Sequence, residues 1–308
     1  MSRTVLLPVP PGELGDLPGS LEVRVWDGSG PAPEDLSDVA FYVPPYMAGS
    51  GAVDVVARMP ALEVVQTLTA GVEQVRGAVP EGVVLCNARG LHDASTAELA
   101  VALALGALRG FPGFVRAAGR GEWAPEHRRS LADRTVLVLG YGSIGAAVER
   151  RLAGFEVAEV LRVARRAREA EAGPVHAFGD LDGLLPRAEV VVVVVPLTDE
   201  TRGLLDARRL ALLPDGAVVV NVARGPVLAT DALLAELRSG RLLAGLDVTD
   251  PEPLPADHPL WSAPGLLLSP HVGGNTTAML PRARRLLREQ LGRWAAGEPL
   301  ANVVTGAY

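Results

Sequence analysis

The twenty residues TVLVLGYGSIGAAVERRLAG, 135–154, restrict the fold more than any other stretch of the chain. A short apolar run leads into Gly140, Gly142 and Gly145 at the spacing G-x-G-x-x-G, and a helix-forming segment opens at Ser143 and Ile144. Strand, glycine turn and helix in that order build a dinucleotide cradle. The glycines let a pyrophosphate approach the backbone, and the helix start offers it unpaired N–H groups and the positive end of the helix dipole. Gly140, Gly142, Ser143, Ile144 and Gly145 are therefore expected to bind a dinucleotide, in an α/β domain with a parallel sheet.

The same βαβ rhythm runs on both sides of this motif. Upstream, TVLLPV, LEVRVW, VAFYVP, LEVVQTL and VVLCNA read as strands, with the helix-length segments GSGAVDVVARM and GVEQVRGAV among them. Downstream, EVLRVA, VVVVVVP, AVVVNVA, LLAGLDV and LLLSPHV read as strands, separated by helices such as RGLLDARRLALL and TDALLAELRSG. Between the halves lies ASTAELAVALALGALRGFPGFVRAAGRG, read as one long helix that is apolar round most of its circumference. Such a helix is buried on more than one side, against a domain or a second subunit. At 308 residues the chain has the length of two domains. The second begins near residue 100, and the last helix, LPRARRLLREQLGRWAAG, is expected to pack back on the first.

Composition narrows the chemistry. The formal net charge is -7 and the pI near 5.4, which argues against nucleic acid or an anionic membrane as partner. The sequence has no lysine, so all 29 of its basic residues are arginines. Schiff-base chemistry, a phosphate-binding P-loop lysine and a lysine acid or base are thereby excluded, and proton transfer near neutral pH falls to histidine or a perturbed carboxylate. The single cysteine, Cys86, sits in an expected strand; it rules out an internal disulfide and a multi-cysteine zinc site, and no metal is expected. The opening MSRTVLLPVPPG lacks the apolar stretch of a signal peptide, and the longest apolar runs fall well short of the ~20 residues that span a bilayer. A cytoplasmic protein is expected.

Of the five histidines, His127 and His176 read as surface groups and His258 as a turn residue, while His92 follows a strand without an evident partner. His271 differs. It follows the apolar run LLLSP and precedes two glycines, at the carboxyl edge of a strand, where open α/β sheets bind ligands. Arg224 follows VVVNV at the same edge, and an arginine fork is the natural reader of a carboxylate. LAGLDVTDPEPLP adds Asp247, Asp250 and Glu252 in a proline-stiffened loop.

Together TAGVEQV, LGYGSIG, VPLTDETRGLL, NVARGPVL, GLDVTDPEPLP and SPHVGG resemble the D-isomer-specific 2-hydroxyacid dehydrogenases, from about Leu62 to Asn302. The resemblance implies a flavodoxin-like substrate domain, residues 1–98 with 281–308, and a Rossmann NAD(P)-binding domain, residues 99–280. It implies a homodimer through the helix near 97–109, and a small 2-oxo or 2-hydroxy acid as substrate. Carried over residue by residue, Arg224 orients the acid, His271 exchanges the proton and Glu252 tunes the histidine. Asp247 would hold the nicotinamide carboxamide, and the backbone of Ala70, Gly71 and Val72 the substrate carboxylate. Pro196, Thr201, Val222, Ala223 and Gly273 fall with the dinucleotide-binding motifs. Thr249 stands where the family often has an aromatic, which leaves the packing there open. The length leaves no room for the regulatory domain of many phosphoglycerate dehydrogenases, which points to glyoxylate, hydroxypyruvate or a similar acid. The alternative is a dinucleotide-sensing interaction protein like the C-terminal-binding-protein corepressors.

One stretch remains. RVARRAR, 162–168, places four arginines in an acidic chain. In a dinucleotide fold an acid about 20 residues past the glycine turn binds the ribose hydroxyls of NAD and repels a 2′-phosphate. Here that place holds Arg165 and Arg166. They are expected to grip the 2′-phosphate, so that NADP(H) is preferred over NAD(H), while Arg162 and Arg168 read as solvated charges.

Overall fold

The computed structural model describes residues 3–47, 49 and 51–305. They fall into two compact units, one within Met1–His92 and Thr277–Tyr308, the other Asp93–Thr276. These divisions lie a few residues before the expected 98/99 and 280/281. The cause is that helices do not split: Asp93–Arg109 goes whole with the second unit and Met279–Ala296 whole with the first.

In the first unit β1 (Arg3–Leu7), β2 (Leu21–Val25), β3 (Val39–Tyr42), β4 (Val64–Gln66) and β5 (Val84–Cys86) form a parallel sheet in the order β2-β1-β3-β4-β5. This is the flavodoxin-like order. The helix Met279–Ala296 lays Met279, Ala283, Leu287, Leu291 and Trp294, a stripe at helical spacing, into the same core as Val5, Leu7, Phe41 and Val64. Two expected helices shrink to single turns, Gly51–Asp54 running on into a 3-10 turn, and Glu73–Arg76. Glycine and β-branched valine, which crowd both segments, are poor helix formers.

The second unit contains β6 (Thr135–Leu139), β7 (Glu159–Ala164), β8 (Arg168–Ala170), β9 (Gly173–Ala177), β10 (Val190–Val193), β11 (Val218–Asn221), β12 (Leu243–Leu246) and β13 (Leu266–Leu268). Their order is β13-β12-β11-β10-β6-β7-β9-β8, parallel throughout except for the β8–β9 hairpin at one edge. Counted from β6, the run β9-β7-β6-β10-β11-β12 is the Rossmann order. The centre is β10, whose four valines pair with β6 on one side and β11 on the other and are buried on both faces. Neither β8 nor β9 was legible in REAEAGPVHA, which has no β-rich run.

The expected single long helix is two, Asp93–Arg109 and Phe111–Gly119, bent by 66°. The break is Gly110, at φ 71°, with Pro112 opening the second helix. Ala97, Ala100, Leu103, Ala104 and Ala107 of the first helix pack beneath β6, β10 and β11. No single helix among the described residues is long and apolar enough to cross a membrane.

The glycine turn between β6 and the helix Ser143–Leu152 divides its work. Gly140 adopts φ 112° and presses on the segment that follows β10, where an added Cβ would lie 2.6 Å from the Val194 carbonyl. At Gly142 an added Cβ would meet nothing within 4 Å, whereas at Gly145 it would lie 2.5 Å from the Gly140 carbonyl oxygen. The first and third glycines thus serve packing, and the second leaves the approach to the helix start open. Gly145→Ala is therefore expected to destabilise the protein by about 1–3 kcal/mol through overpacking, read as a lower urea midpoint at unchanged slope.

Candidate active site

Three carboxyl-end loops of the second unit bring Arg224, Glu252 and His271 forward. Arg224 follows β11, and Asn221 shapes its turn: the buried amide donates to the Arg224 carbonyl at 3.0 Å and accepts the Ala223 N–H at 3.0 Å. Nη1 of Arg224 donates to the Ala223 carbonyl at 2.7 Å. Gly225 then passes so close to the next loop that an added Cβ would stand 1.9 Å from the Thr249 carbonyl oxygen. Only a glycine lets the Arg224 loop and the Glu252 loop lie this near each other.

Glu252 sits in the loop after β12. Thr249, the departure from the usual aromatic, is buried; its hydroxyl donates to the Pro251 carbonyl at 2.8 Å and its N–H points to Oε2 of Glu252 at 3.4 Å. The packing there is thus carried by hydrogen bonds. Oε1 of Glu252 lies 2.5 Å from Nδ1 of His271. Burial pushes the Glu252 carboxyl upward, but the His271 hydrogen bond and charge, the Thr249 N–H and the field of Arg224 together hold it below the ordinary carboxylate range. Glu252 is accordingly an anion through the neutral range. With Nδ1 engaged, His271 presents Nε2 as its free nitrogen. The residue itself lies at φ 54°, a left-handed conformation unfavourable for a side chain larger than glycine.

Asp247 closes β12 and is buried, its carboxylate held by the segment Ser269–Gly273. Beyond β10, Thr201 fastens the VPLTDETRGLL loop: its hydroxyl donates to the Pro196 carbonyl at 2.6 Å and accepts the Thr198 N–H at 2.8 Å. Val222 and Ala223 are buried in the turn that ends β11. At the glycine turn no acidic side chain occupies the first turn of Ser143–Leu152, and the Ser143 hydroxyl donates to Asp93 at 3.2 Å. These residues fit a dinucleotide pyrophosphate: open space over Gly142, a helix whose own first turn carries no acid, and a backbone brought close by glycine.

RVARRAR does not act as one solvated run. Arg162 is largely buried in an ion pair with Glu149, and its guanidinium lies 5.8 Å from the Tyr141 ring centre. Arg168 donates to the Tyr141 carbonyl. The expectation of solvated charge fails at Arg162, which Glu149 and the Tyr141 ring draw in, whereas Arg168 stays exposed while it donates to the turn. Arg165 and Arg166, directly after β7, are exposed and have no carboxylate partner among the described residues.

In the first unit Ala70, Gly71 and Val72 form the loop between β4 and the turn Glu73–Arg76. Asn87 donates to the Ala70 carbonyl at 3.0 Å and the Thr69 hydroxyl to the Gly71 carbonyl at 2.6 Å. The N–H groups of Gly71 and Val72 have no partner among the described residues. His92 is buried, with Nε2 2.8 Å from the Leu68 carbonyl. His127 is exposed, His176 is half-buried on β9, and His258 caps the turn Pro259–Ser262 through the Leu260 N–H. Asn221, Thr249 and Ser269 do their work unannounced in the sequence. The one available signal was a polar residue at the carboxyl end of an apolar strand.

Known proteins resemble this chain over most of its length. Residues 101–273 match the family described as D-isomer specific 2-hydroxyacid dehydrogenase, NAD binding domain. A D-3-phosphoglycerate dehydrogenase of Methanocaldococcus jannaschii is 32% identical over 257 residues, which are 82% of this chain and 49% of that protein, so the chain spans about half of this relative. Among solved structures, a D-isomer specific 2-hydroxyacid dehydrogenase from Xanthobacter autotrophicus in complex with NADPH and MES is 34% identical. It covers 99% of this chain and 98% of its own, with a TM-score of 0.83. An NADPH-dependent glyoxylate/hydroxypyruvate reductase from Sinorhizobium meliloti in complex with NADP and sulfate is 28% identical, with the same coverage of 99% and 98% and a TM-score of 0.83. The chain belongs to the D-isomer-specific 2-hydroxyacid dehydrogenases, a family of NAD(P)-dependent oxidoreductases.

Proposed function

We propose that this protein reduces a small 2-oxo acid of the glyoxylate or hydroxypyruvate type to the D-2-hydroxy acid, with NADPH as preferred reductant. The observation that carries the reading is the His271–Glu252 pair, which joins Arg224 at the carboxyl edge of one parallel sheet. A bound reduced nicotinamide supplies the hydride. His271 holds the proton at Nε2 for the substrate oxygen, with Glu252 keeping the ring oriented through Nδ1. Arg224 binds the acid and stabilises the negative charge that develops on its carbonyl oxygen. The unpaired N–H groups of Gly71 and Val72 suit a carboxylate. Asp247, Pro196, Thr201, Val222, Ala223 and Gly273 are proposed to line the dinucleotide site.

The reductase named among the similar structures supports catalysis over a corepressor-like sensing role. The proposed compartment is the cytoplasm. A homodimer is part of the reading, but the surface proposed for it shifts. Much of Asp93–Arg109 is buried within its own unit, whereas Phe111, Val115 and Trp123, just beyond, are 51%, 71% and 96% exposed.

The test of the reaction is oxidation of NADPH, followed at 340 nm, with glyoxylate, hydroxypyruvate and related acids. His271→Ala is expected to lower turnover by at least ~100-fold while the dinucleotide still binds, as for loss of a general acid. Turnover near that of the parent would remove His271 from the chemistry.

The preference for NADPH rests on Arg165 and Arg166, exposed where an NAD-binding fold carries an acid. A charge-assisted hydrogen bond contributes about 1.5–3 kcal/mol, hence roughly a 10- to 100-fold preference from one good contact. Arg165→Asp combined with Arg166→Ala is expected to reverse it, chiefly by raising the KM for NADPH. Equal kcat/KM for NADH and NADPH in the parent would refute the assignment.

A further inference from the structure

The helix Ser143–Leu152 begins directly after Gly142, and no side chain caps it. The N–H groups of Ser143 and Ile144 reach no partner among the described residues, and they are the donors that a pyrophosphate would meet. One acid nevertheless stands at this end. Asp93 opens the neighbouring helix Asp93–Arg109, and its Oδ1 accepts the Ser143 hydroxyl at 3.2 Å. It is half-buried and pairs with no arginine or histidine among the described residues.

Asp93 is held in this place by the packing of two helices. Ala97, Ala100 and Val101 of its own helix share a core with Ala147 and Val148 of the other. Nη2 of Arg151 donates to the Ala94 carbonyl at 3.0 Å and Nη1 to the Ala147 carbonyl at 2.8 Å, so one guanidinium ties the helices together beside Asp93. Ser95, two residues on, shares a hydrogen bond with the Thr276 hydroxyl at 2.8 Å.

An acid in the first turn of a helix is favourable, since it faces that helix's positive end. This accounts for Asp93 at the start of Asp93–Arg109 but not for its hydrogen bond across to Ser143. At Ser143 the same charge has two effects. It gives the free protein an anion at a helix start that has none of its own, and it repels the anion that is to bind there. We propose that Asp93 is a counter-charge built into the dinucleotide site, which takes the Ser143 hydroxyl in the free protein and weakens the binding of NADPH and NADH alike. The inference rests on the reading of the glycine turn as the pyrophosphate site. Arg165 and Arg166, after β7, bear on the 2′-phosphate, so Asp93 sets affinity and not the choice between the two dinucleotides.

Calorimetric titration of NADPH and of NADH into dinucleotide-free protein, with no 2-oxo acid present, tests this. Asp93→Asn keeps the size of the side chain and an acceptor oxygen and removes the charge. The Kd of both dinucleotides is expected to fall by roughly 3- to 10-fold, with the ratio between them within about twofold of the parent's. The gain is expected to shrink as salt rises, because Gly142 and the helix start open to solvent. Asp93→Glu retains the charge and is expected to bind as the parent does. A lost structural contact would loosen binding, not tighten it.

Unchanged or weaker binding of both dinucleotides in Asp93→Asn would overturn the proposal and leave Asp93 a residue of its own helix start. Tightening confined to NADPH would refute it as well, since the charge would then act on the 2′-phosphate. If Asp93→Asn does not fold, Asp93→Ser, neutral and favoured at helix starts, is judged by the same criterion. A parent that binds neither dinucleotide would sink the pyrophosphate reading and this proposal with it. A parent that binds both but reduces no 2-oxo acid would count against the proposed reaction alone.

Discussion

The parallel hydrogen-bond ladder of the second unit is the constraint on which the site depends. Because β6, β7 and β10 to β13 all run the same way, their carboxyl ends meet at one edge, and the loops that carry this unit's candidate residues leave from there. The glycine turn follows β6, the arginine pair β7, Arg224 β11, Asp247 and Glu252 β12, and His271 β13. Arg224, Glu252 and His271, which follow three different strands, are brought to one side of the sheet in this way. The valines of β10 secure its middle, buried on both faces between β6 and β11.

On that edge the loops are held by small, specific contacts. Asn221 ties the Arg224 turn, Gly225 lets that turn press on Thr249, Thr249 braces the Glu252 loop, and Asp247 takes the donors of the His271 turn. The left-handed backbone of His271 is the strain that this arrangement supports. Charge is used with the same economy at the other side of the glycine turn. Of the four arginines in RVARRAR, Arg162 pairs with Glu149 and Arg168, though exposed, donates to the Tyr141 carbonyl, while Arg165 and Arg166 reach no carboxylate among the described residues. One cluster thereby contributes both to the packing of the glycine turn and to the surface charge beside it.

Much of this was written in local patterns. G-x-G-x-x-G after an apolar strand, the alternation of strands and helices, a histidine before two glycines and an arginine after VVVNV each depend on residues close together in the chain, so they are legible without a fold. The two-unit organisation followed from the same alternation and from length. What the local patterns misjudged were cases where neighbours or geometry outweigh propensity. The helix across Gly110 breaks although its composition favours continuation, because glycine there takes a left-handed turn. REAEAGPVHA becomes a hairpin because β7 offers β9 an unpaired edge.

The sequence by itself determined the fold class and the glycine turn, and set Arg224 and His271 after apolar strands, because each rests on residue type and short-range order, whereas Glu252 stood out from its acidic neighbours only through the family resemblance. Tertiary structure alone decided which partners they have. That Glu252 meets Nδ1 of His271, that Thr249 replaces aromatic packing by hydrogen bonds, and that Asp247 is enclosed by Ser269, Val272 and Gly273 are contacts between different strand ends. No periodicity encodes them. Their distances are set by sheet register and by how closely two loops can approach, and an arginine in RVARRAR is buried or exposed according to what stands across from it rather than to its own charge.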